Sequence, residues 1–350
     1  MFPDPNDHHF EFYSAHYSFV KKRCHLWNHD EATILFLMST DSRISPSIAI
    51  IFGILAASTS SIFIRFAQTE ADSLSIAALR MFFATVLLIP FMLRQPKDVW
   101  PSNHRSWLLG TLSGVFLAIH FASWIASLEY TSVASSVVLV QTAPLFVAVF
   151  SPFLLDERPS PRAWLGLLIA FAGGILIAFG DSCTWEGSLS CSLISQTLGG
   201  TALLGDALAL IGGLAGAAYL IIGRELRSRL NLVPYISIVY GSSALILLIW
   251  ALISGTQLLG YRWLTYGWFL LLALFPQLLA HTTYNWALRY LPATSVSLSL
   301  LGEPISAAIL AWLILNETIP GLRIIGGFVV LSGIVLAVYR PAVKTSRKRS

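Results

Sequence analysis

The chain has 350 residues, 55% of them hydrophobic and 11% charged, with a formal net charge of +4 and a mean hydropathy of +0.71. A soluble globular chain carries about 25% charged residues, so this composition excludes an ordinary soluble fold and implies a polytopic membrane protein. Cys24 stands alone among the cysteines, and Cys183 and Cys191 lie far from any histidine cluster, which leaves no disulfide framework and no zinc spacing; no metal and no cofactor are expected.

Residues 1 to 45 lack an apolar stretch of signal-peptide length and carry Asp4, Asp7, Glu11, Asp30 and Glu31, which argues against a transit peptide and predicts a disordered cytoplasmic leader. Its His8, His9, His16, His25 and His29 are irregularly spaced and read as solvated. Met38, just ahead of the first apolar run, is an alternative start. From there the sequence supplies ten apolar runs, near 47 to 66, 74 to 93, 107 to 128, 132 to 154, 162 to 180, 204 to 223, 233 to 254, 266 to 287, 293 to 315 and 322 to 339. A hydrocarbon core of about 30 Å takes about 20 helical residues, and lipid offers the backbone no partners, so each run is predicted to be a helix. Gly110 and Gly114, and Gly212 and Gly216, have the spacing that lets helix backbones approach. The loop 181 to 203 holds Cys183 and Cys191, where a local disulfide would add little to the bundle.

Ten crossings put both termini on one side. With both cytoplasmic, the inner segments hold eighteen of the 22 Lys and Arg residues, the outer ones only Arg262 and Arg323, and Arg65 and Arg80 fall within spans. This bias sets the orientation, and the basic end 341 to 350 becomes a cytoplasmic tail near anionic lipid, not a nucleic-acid arm. Trp100, Trp107, Trp164, Tyr261, Trp263, Tyr266 and Trp268 lie near span ends, as interface anchors do.

The chain repeats once. Subtracting 160 aligns 284 to 339 with 124 to 179 without a gap, setting Pro304 on Pro144, Glu317 on Glu157, Gly326 on Gly166 and Gly333 on Gly173. Apolar composition alone yields some identities, so the ordered set of Pro, acid, Gly, Gly carries the argument. Each half, 46 to 180 and 204 to 340, has five spans, an odd number, so the second must enter the membrane inverted. The expected fold is an all-α bundle of ten transmembrane helices built as two inverted five-helix repeats, an arrangement of transporters. Pro144 and Pro304 both fall at mid-span and free the carbonyls of Val140 and Leu300, as the broken helices of alternating-access transporters do.

The two copies "PLFVAVFSPFLLDERPSPRAWLGLLIAFAGGILIAFG" and "PISAAILAWLILNETIPGLRIIGGFVVLSGIVLAVY" resemble the paired domains of the EamA family in the drug/metabolite transporter superfamily. The segments 78 to 94 and 205 to 226 are similar to that family's second and sixth helices. The resemblance spans about residues 47 to 339 and implies a ten-helix exporter or exchanger of small metabolites, amino acids and related compounds among them, driven by proton or solute gradients. Arg80 resembles an arginine common at that place in the family; it either attracts a substrate carboxylate or snorkels outward.

The polar residues within spans nominate a site. A charge at the bilayer centre costs roughly 2.5 to 3.5 kcal/mol, so Glu303 must face a wet cavity, find a partner or carry a proton; it is a candidate for proton coupling, or else an acid that fixes packing. The first repeat has Ala143 there. His120, Trp124, Gln141, Gln277, His281, Tyr284, Asn285 and Trp286 are candidates to line a substrate cavity, or else make interhelical bonds. Glu157 and Glu317 are expected to complement the starts of their own following helices, with Asp156 and Asn316 as caps. An intramembrane enzyme using Glu303 and the histidines is the competing class, but no HExxH, GxGD or GxSG occurs. The expected partners are a small metabolite and the lipid bilayer, a homodimer is compatible, and the absence of an organelle address points to a bacterial cell membrane.

Overall fold

The computed structural model describes residues 45–131, 133–185, 189–191, 200–315 and 321–338. The leader, Met38, Glu317, Asn316 and the basic tail lie outside the described residues. Helix dominates. The order is α1 (Pro46–Ser58), α2 (Ser60–Ala67), α3 (Ser73–Leu93), α4 (His104–Tyr130), α5 (Val133–Val140), α6 (Ala143–Leu154), α7 (Pro161–Ser182), then α8 (Gly200–Arg227) and α9 (Leu232–Ile253). There follow α10 (Trp263–Leu272), a π-helical stretch Ala273–His281, α11 (Thr282–Ala287), α12 (Ala293–Ser299), α13 (Glu303–Leu315) and α14 (Gly321–Val338). The strands β1 (Cys183–Trp185) and β2 (Leu189–Cys191) form a short antiparallel hairpin whose register sets Cys183 opposite Cys191.

Among the described residues seven helical runs are long and apolar enough to cross a membrane, counting α1 with α2, α5 with α6, and α10 through α11 as single runs; Pro161–Leu176 and Ile324–Ala337 are shorter apolar stretches. The outward faces are apolar, with Leu93 82%, Phe153 81% and Ile253 81% exposed, which suits lipid and not water. Trp263, 90% exposed, fits an interface anchor. Tyr261 does not: it is buried, and its hydroxyl bonds Ser75 Oγ at 3.0 Å and the Gln257 carbonyl.

Local chemistry explains where the runs are interrupted. Between α1 and α2, Ser58 Oγ returns to the Ile54 carbonyl at 2.7 Å and Thr59 Oγ1 to that of Ala56 at 2.7 Å, hydroxyl bonds that compete with the helix ladder. Between α5 and α6, Gln141 and Thr142 form a turn just before Pro144. Pro276, which has no N–H to give the ladder, sits within the π-helical stretch. A 3-10 turn, Leu300–Gly302, separates α12 from α13 just before Pro304.

The aligned glycines prove structural. A methyl on Gly333 would stand 2.5 Å from the Gly166 carbonyl oxygen, and one on Gly173 2.8 Å from that of Gly326. As numbers rise along α7 they fall along α14, so the two helices pack antiparallel with their main chains in contact. Ala148, Leu167, Ala170, Leu298, Leu301 and Val330 form a buried cluster beside this seam. Gly110 packs on Ile238 and Gly212 on Ser123 and Trp124, so both small-residue pairs serve helix contact.

Carboxylates from the first half tie the ends of the bundle. Glu157 Oε1 accepts from Arg224 Nε at 2.6 Å and its Oε2 from the Ala293 N–H at 3.0 Å. Arg224 also donates to the Leu288 carbonyl at 2.6 Å. Glu157 therefore caps α12, not the helix that follows it; α7 is capped by Ser160 Oγ, which accepts the Ala163 N–H at 3.1 Å. Glu70 accepts the Arg262 N–H at 3.1 Å and the Thr265 hydroxyl, capping α10. The Thr265 hydroxyl bond first, together with the Arg262 amide and charge, holds the Glu70 carboxyl below its ordinary value of 4.5. The segments joined in each cluster are those that successive crossings would deliver to one face.

Candidate functional site

All four interruptions face one hollow, of about 940 Å³ including its open part. Its walls include Ser58, Ser60 and Ser61 at the first interruption, and Gln141 and Ala143 at the second. Pro276 and His281 come from the π-helical stretch, and Leu300, Glu303 and Pro304 from the last.

Arg80 projects into this hollow from α3 and is 1% exposed, so it does not snorkel. Its guanidinium carbon lies 4.0 Å from the Phe121 ring centroid, and its Nη1 reaches Ser60 Oγ at 3.4 Å. Its Nε has no acceptor. A buried cation resting on an aromatic face, with donor capacity left over, is arranged to receive an anionic group.

Glu303 opens α13 and lines the same hollow. Its carboxylate accepts from the Tyr284 hydroxyl at 3.0 Å, and its main-chain carbonyl from Ser58 Oγ at 3.1 Å. The acid thus faces the hollow and not hydrocarbon. The equivalent first-repeat residue, Ala143, lines the same hollow without a charge.

His120 on α4 and His281 form an edge-on pair 6.5 Å apart. His120 Nδ1 lies 2.8 Å from the Gly212 carbonyl; a carbonyl oxygen only accepts, so this nitrogen carries the hydrogen and Nε2 is left as an acceptor. His281 Nδ1 and Trp124 Nε1 are buried without a partner. Trp124 stacks on His120 at 6.0 Å, so one wall offers rings together with an unused donor. Gln141 Nε2 donates to the Leu300 carbonyl at 3.3 Å.

The structure therefore brings Arg80, His120, Trp124, Gln141, His281, Tyr284 and Glu303 to one hollow, with Pro304 in its wall and Pro144 buried next to the lining residue Ala143. Gln277, Asn285 and Trp286 are buried but stand off its wall. Tyr284 and Asn285, three and four residues after His281, both lie on its side of the helix; Tyr284 is drawn onto the wall by Glu303, Asn285 is held by partners off it, and Trp286 is turned away. Asn285 Nδ2 donates to Tyr219 Oη at 2.6 Å and its carbonyl accepts from Arg227 Nε at 3.0 Å, so it braces the wall from behind. Sequence reasoning passed over Tyr219 and the serines of α1 and α2. The run Ser58, Thr59, Ser60, Ser61 in the middle of an apolar span was the available signal. Among the described residues no cluster of three or more His, Cys, Asp or Glu residues could hold a metal ion.

Comparison with known proteins gives this hollow a context. Residues 44–179 and 203–339 each match the EamA-like transporter family. An uncharacterized transporter of Archaeoglobus fulgidus is 26% identical over 279 residues, covering 79% of this chain and 91% of that one. An S-adenosylmethionine uptake transporter of Rickettsia bellii is 22% identical over 126 residues, covering 36% of this chain and 43% of the relative. A crystal structure of a protein 17% identical superposes with a TM-score of 0.68 over 85% of this chain and 97% of that chain, a likeness of fold. Family and relatives are transporters and not enzymes, which decides between the two classes the sequence left open. With two family matches that together cover most of its length, the chain is a multi-pass membrane transporter and belongs to the EamA-like transporter family.

Proposed function

We propose that this protein is a secondary active transporter, an exporter or exchanger, that moves a small carboxylate-bearing metabolite through the hollow by alternating access. The observation that carries the reading is the convergence of four helix interruptions on one cavity that also holds Arg80 and Glu303. Ten spans in two inverted repeats, 46 to 180 and 204 to 340, accommodate the antiparallel glycine seam and the grouping of the end clusters. The Lys and Arg bias then puts the Glu157 cluster and both termini on the cytoplasmic side of a cell membrane.

In this reading Arg80 receives the carboxylate, and the His120, Trp124 and Tyr284 rings pack the rest of the solute. Glu303, held by Tyr284, loads a proton from one side and releases it to the other. Pro144 and Pro304 keep the two central helices divided, so that their halves move separately. The distant uptake relative is compatible with a small metabolite of the amino-acid kind and goes no further, because it covers little of the chain.

Purified protein in vesicles should carry a radiolabelled amino acid or related carboxylate when a pH gradient is imposed. Glu303→Gln is expected to abolish the pH-driven flux while sparing exchange, and Arg80→Met to abolish both. Unchanged pH-driven flux in Glu303→Gln would remove that residue from coupling; flux in Arg80→Met that keeps its preference for carboxylates would remove the anion site.

A further inference from the structure

We propose that Gln141 is a positioning residue that ties the second interrupted helix to the first, by supplying the hydrogen bond that Pro304 withholds. In an unbroken helix the Leu300 carbonyl would accept the N–H of residue 304. The proline nitrogen has no hydrogen. The carbonyl instead takes the Glu303 N–H through the tight turn and the Gln141 side-chain amide at 3.3 Å. A carbonyl oxygen has two lone pairs, so both bonds are allowed.

The dependence runs one way. On the 160-residue register the counterpart of Gln141 is Leu301, which has no donor to return to Val140, the carbonyl that Pro144 frees. Ser58 points the same way: its single hydroxyl hydrogen, shared with the Ile54 carbonyl at 2.7 Å, also faces the Glu303 carbonyl at 3.1 Å. Both donors sit at interruptions themselves, Gln141 in the turn between α5 and α6 and Ser58 at the end of α1. A shift at either first-repeat break therefore moves the group that holds the turn carrying Glu303. Among the described residues, side-chain donors from the first repeat reach the second break, and no side-chain donor from the second repeat reaches the Val140 carbonyl. This link stands whichever solute is carried.

Amide hydrogen exchange on the purified full chain, followed over residues 296 to 307, tests the link. Gln141→Leu should speed exchange there by about fivefold to tenfold, the loss of one ordinary hydrogen bond. Pro304→Ala restores the missing N–H, so adding Gln141→Leu in that background should change exchange by less than about twofold. Equal effects of Gln141→Leu in the two backgrounds, or none in the parent, would overturn the proposal. Gln141→Glu is an independent arm should Pro304→Ala not fold: measured against wild type at each pH, protection should be kept while the carboxyl is protonated and can donate, and fall once it ionises. Protection that does not follow that protonation would count equally against the link.

Discussion

The two carboxylate ties at the ends of the bundle make an unequal pair. Both come from the first half, and both cap a helix in the second. At the Glu157 end the partner is a guanidinium at 2.6 Å, with the side chains of Arg224 and Glu157 24% and 21% exposed. At the Glu70 end the bonds come from a hydroxyl and an amide, while the Arg262 side chain is 74% exposed and 3.5 Å away. A half-sheltered ion pair that also bonds main-chain groups outweighs a solvated one. If alternating access opens one end at a time, the Glu157 end is the harder to open, and the difference lies in desolvation, not in the number of carboxylates.

Substitutions at three residues of the ties put this inequality at risk. Glu157→Ala should have the largest effect, because it leaves both Arg224 Nε and the Ala293 N–H without their acceptor. A loss of about 2 kcal/mol would lower the melting temperature by roughly 5 °C. Labelling of Val137→Cys in the hollow by an impermeant maleimide should rise from the face that carries Glu157 and not from the other. An unmoved melting point would mean that the tie contributes nothing.

Glu70→Gln should lower the melting temperature by less, and its effect should depend on pH. The folded carboxyl lies below its ordinary 4.5, so its contribution is complete above that value and is lost as the pH falls through the depressed folded value. Wild type should therefore lose stability more steeply than Glu70→Gln on acidification below about 4.5; parallel curves would exclude the tie from folding stability. Arg262→Gln should do least. An exposed cation at that distance contributes within about 0.5 kcal/mol, and 0.5 M salt should erase what remains. A shift as large as that of Glu157→Ala would make the two ends equal and the comparison wrong.

How far the sequence foretold this molecule depended on the range of the interaction. Mid-span prolines act within their own helix, and the helices of Pro144 and Pro304 are each interrupted just ahead of the proline. Glycines at matched positions act on one neighbour, and the repeat register indicated which ones mattered. Glu157 was placed at the right boundary with the wrong helix, because an acid before a helix complements that helix by default and only the folded chain brings Ala293 closer. Glu70 and Tyr219 gave no signal of their own: their partners Thr265 and Asn285 lie 195 and 66 residues away. Within the site, partners across the bundle and not helix phase sorted the candidates. Tyr284 follows His281 onto the wall, while Asn285, one position further, faces Tyr219 and Tyr240 at 2.6 and 3.3 Å.

The seam between α7 and α14 carries a consequence for the halves themselves. Each contributes one strip of nearly bare main chain, and each strip is shaped to be covered by the other running the opposite way. Neither half is a finished object. Severed from its mate, it would offer lipid a furrow that no acyl chain fills as closely as a peptide backbone, and the natural filler would be the same furrow on an upside-down sister. Joining the two in one polypeptide fixes that marriage at the moment of synthesis and leaves each partner free to specialise, one keeping the acid and the other the amide that steadies it.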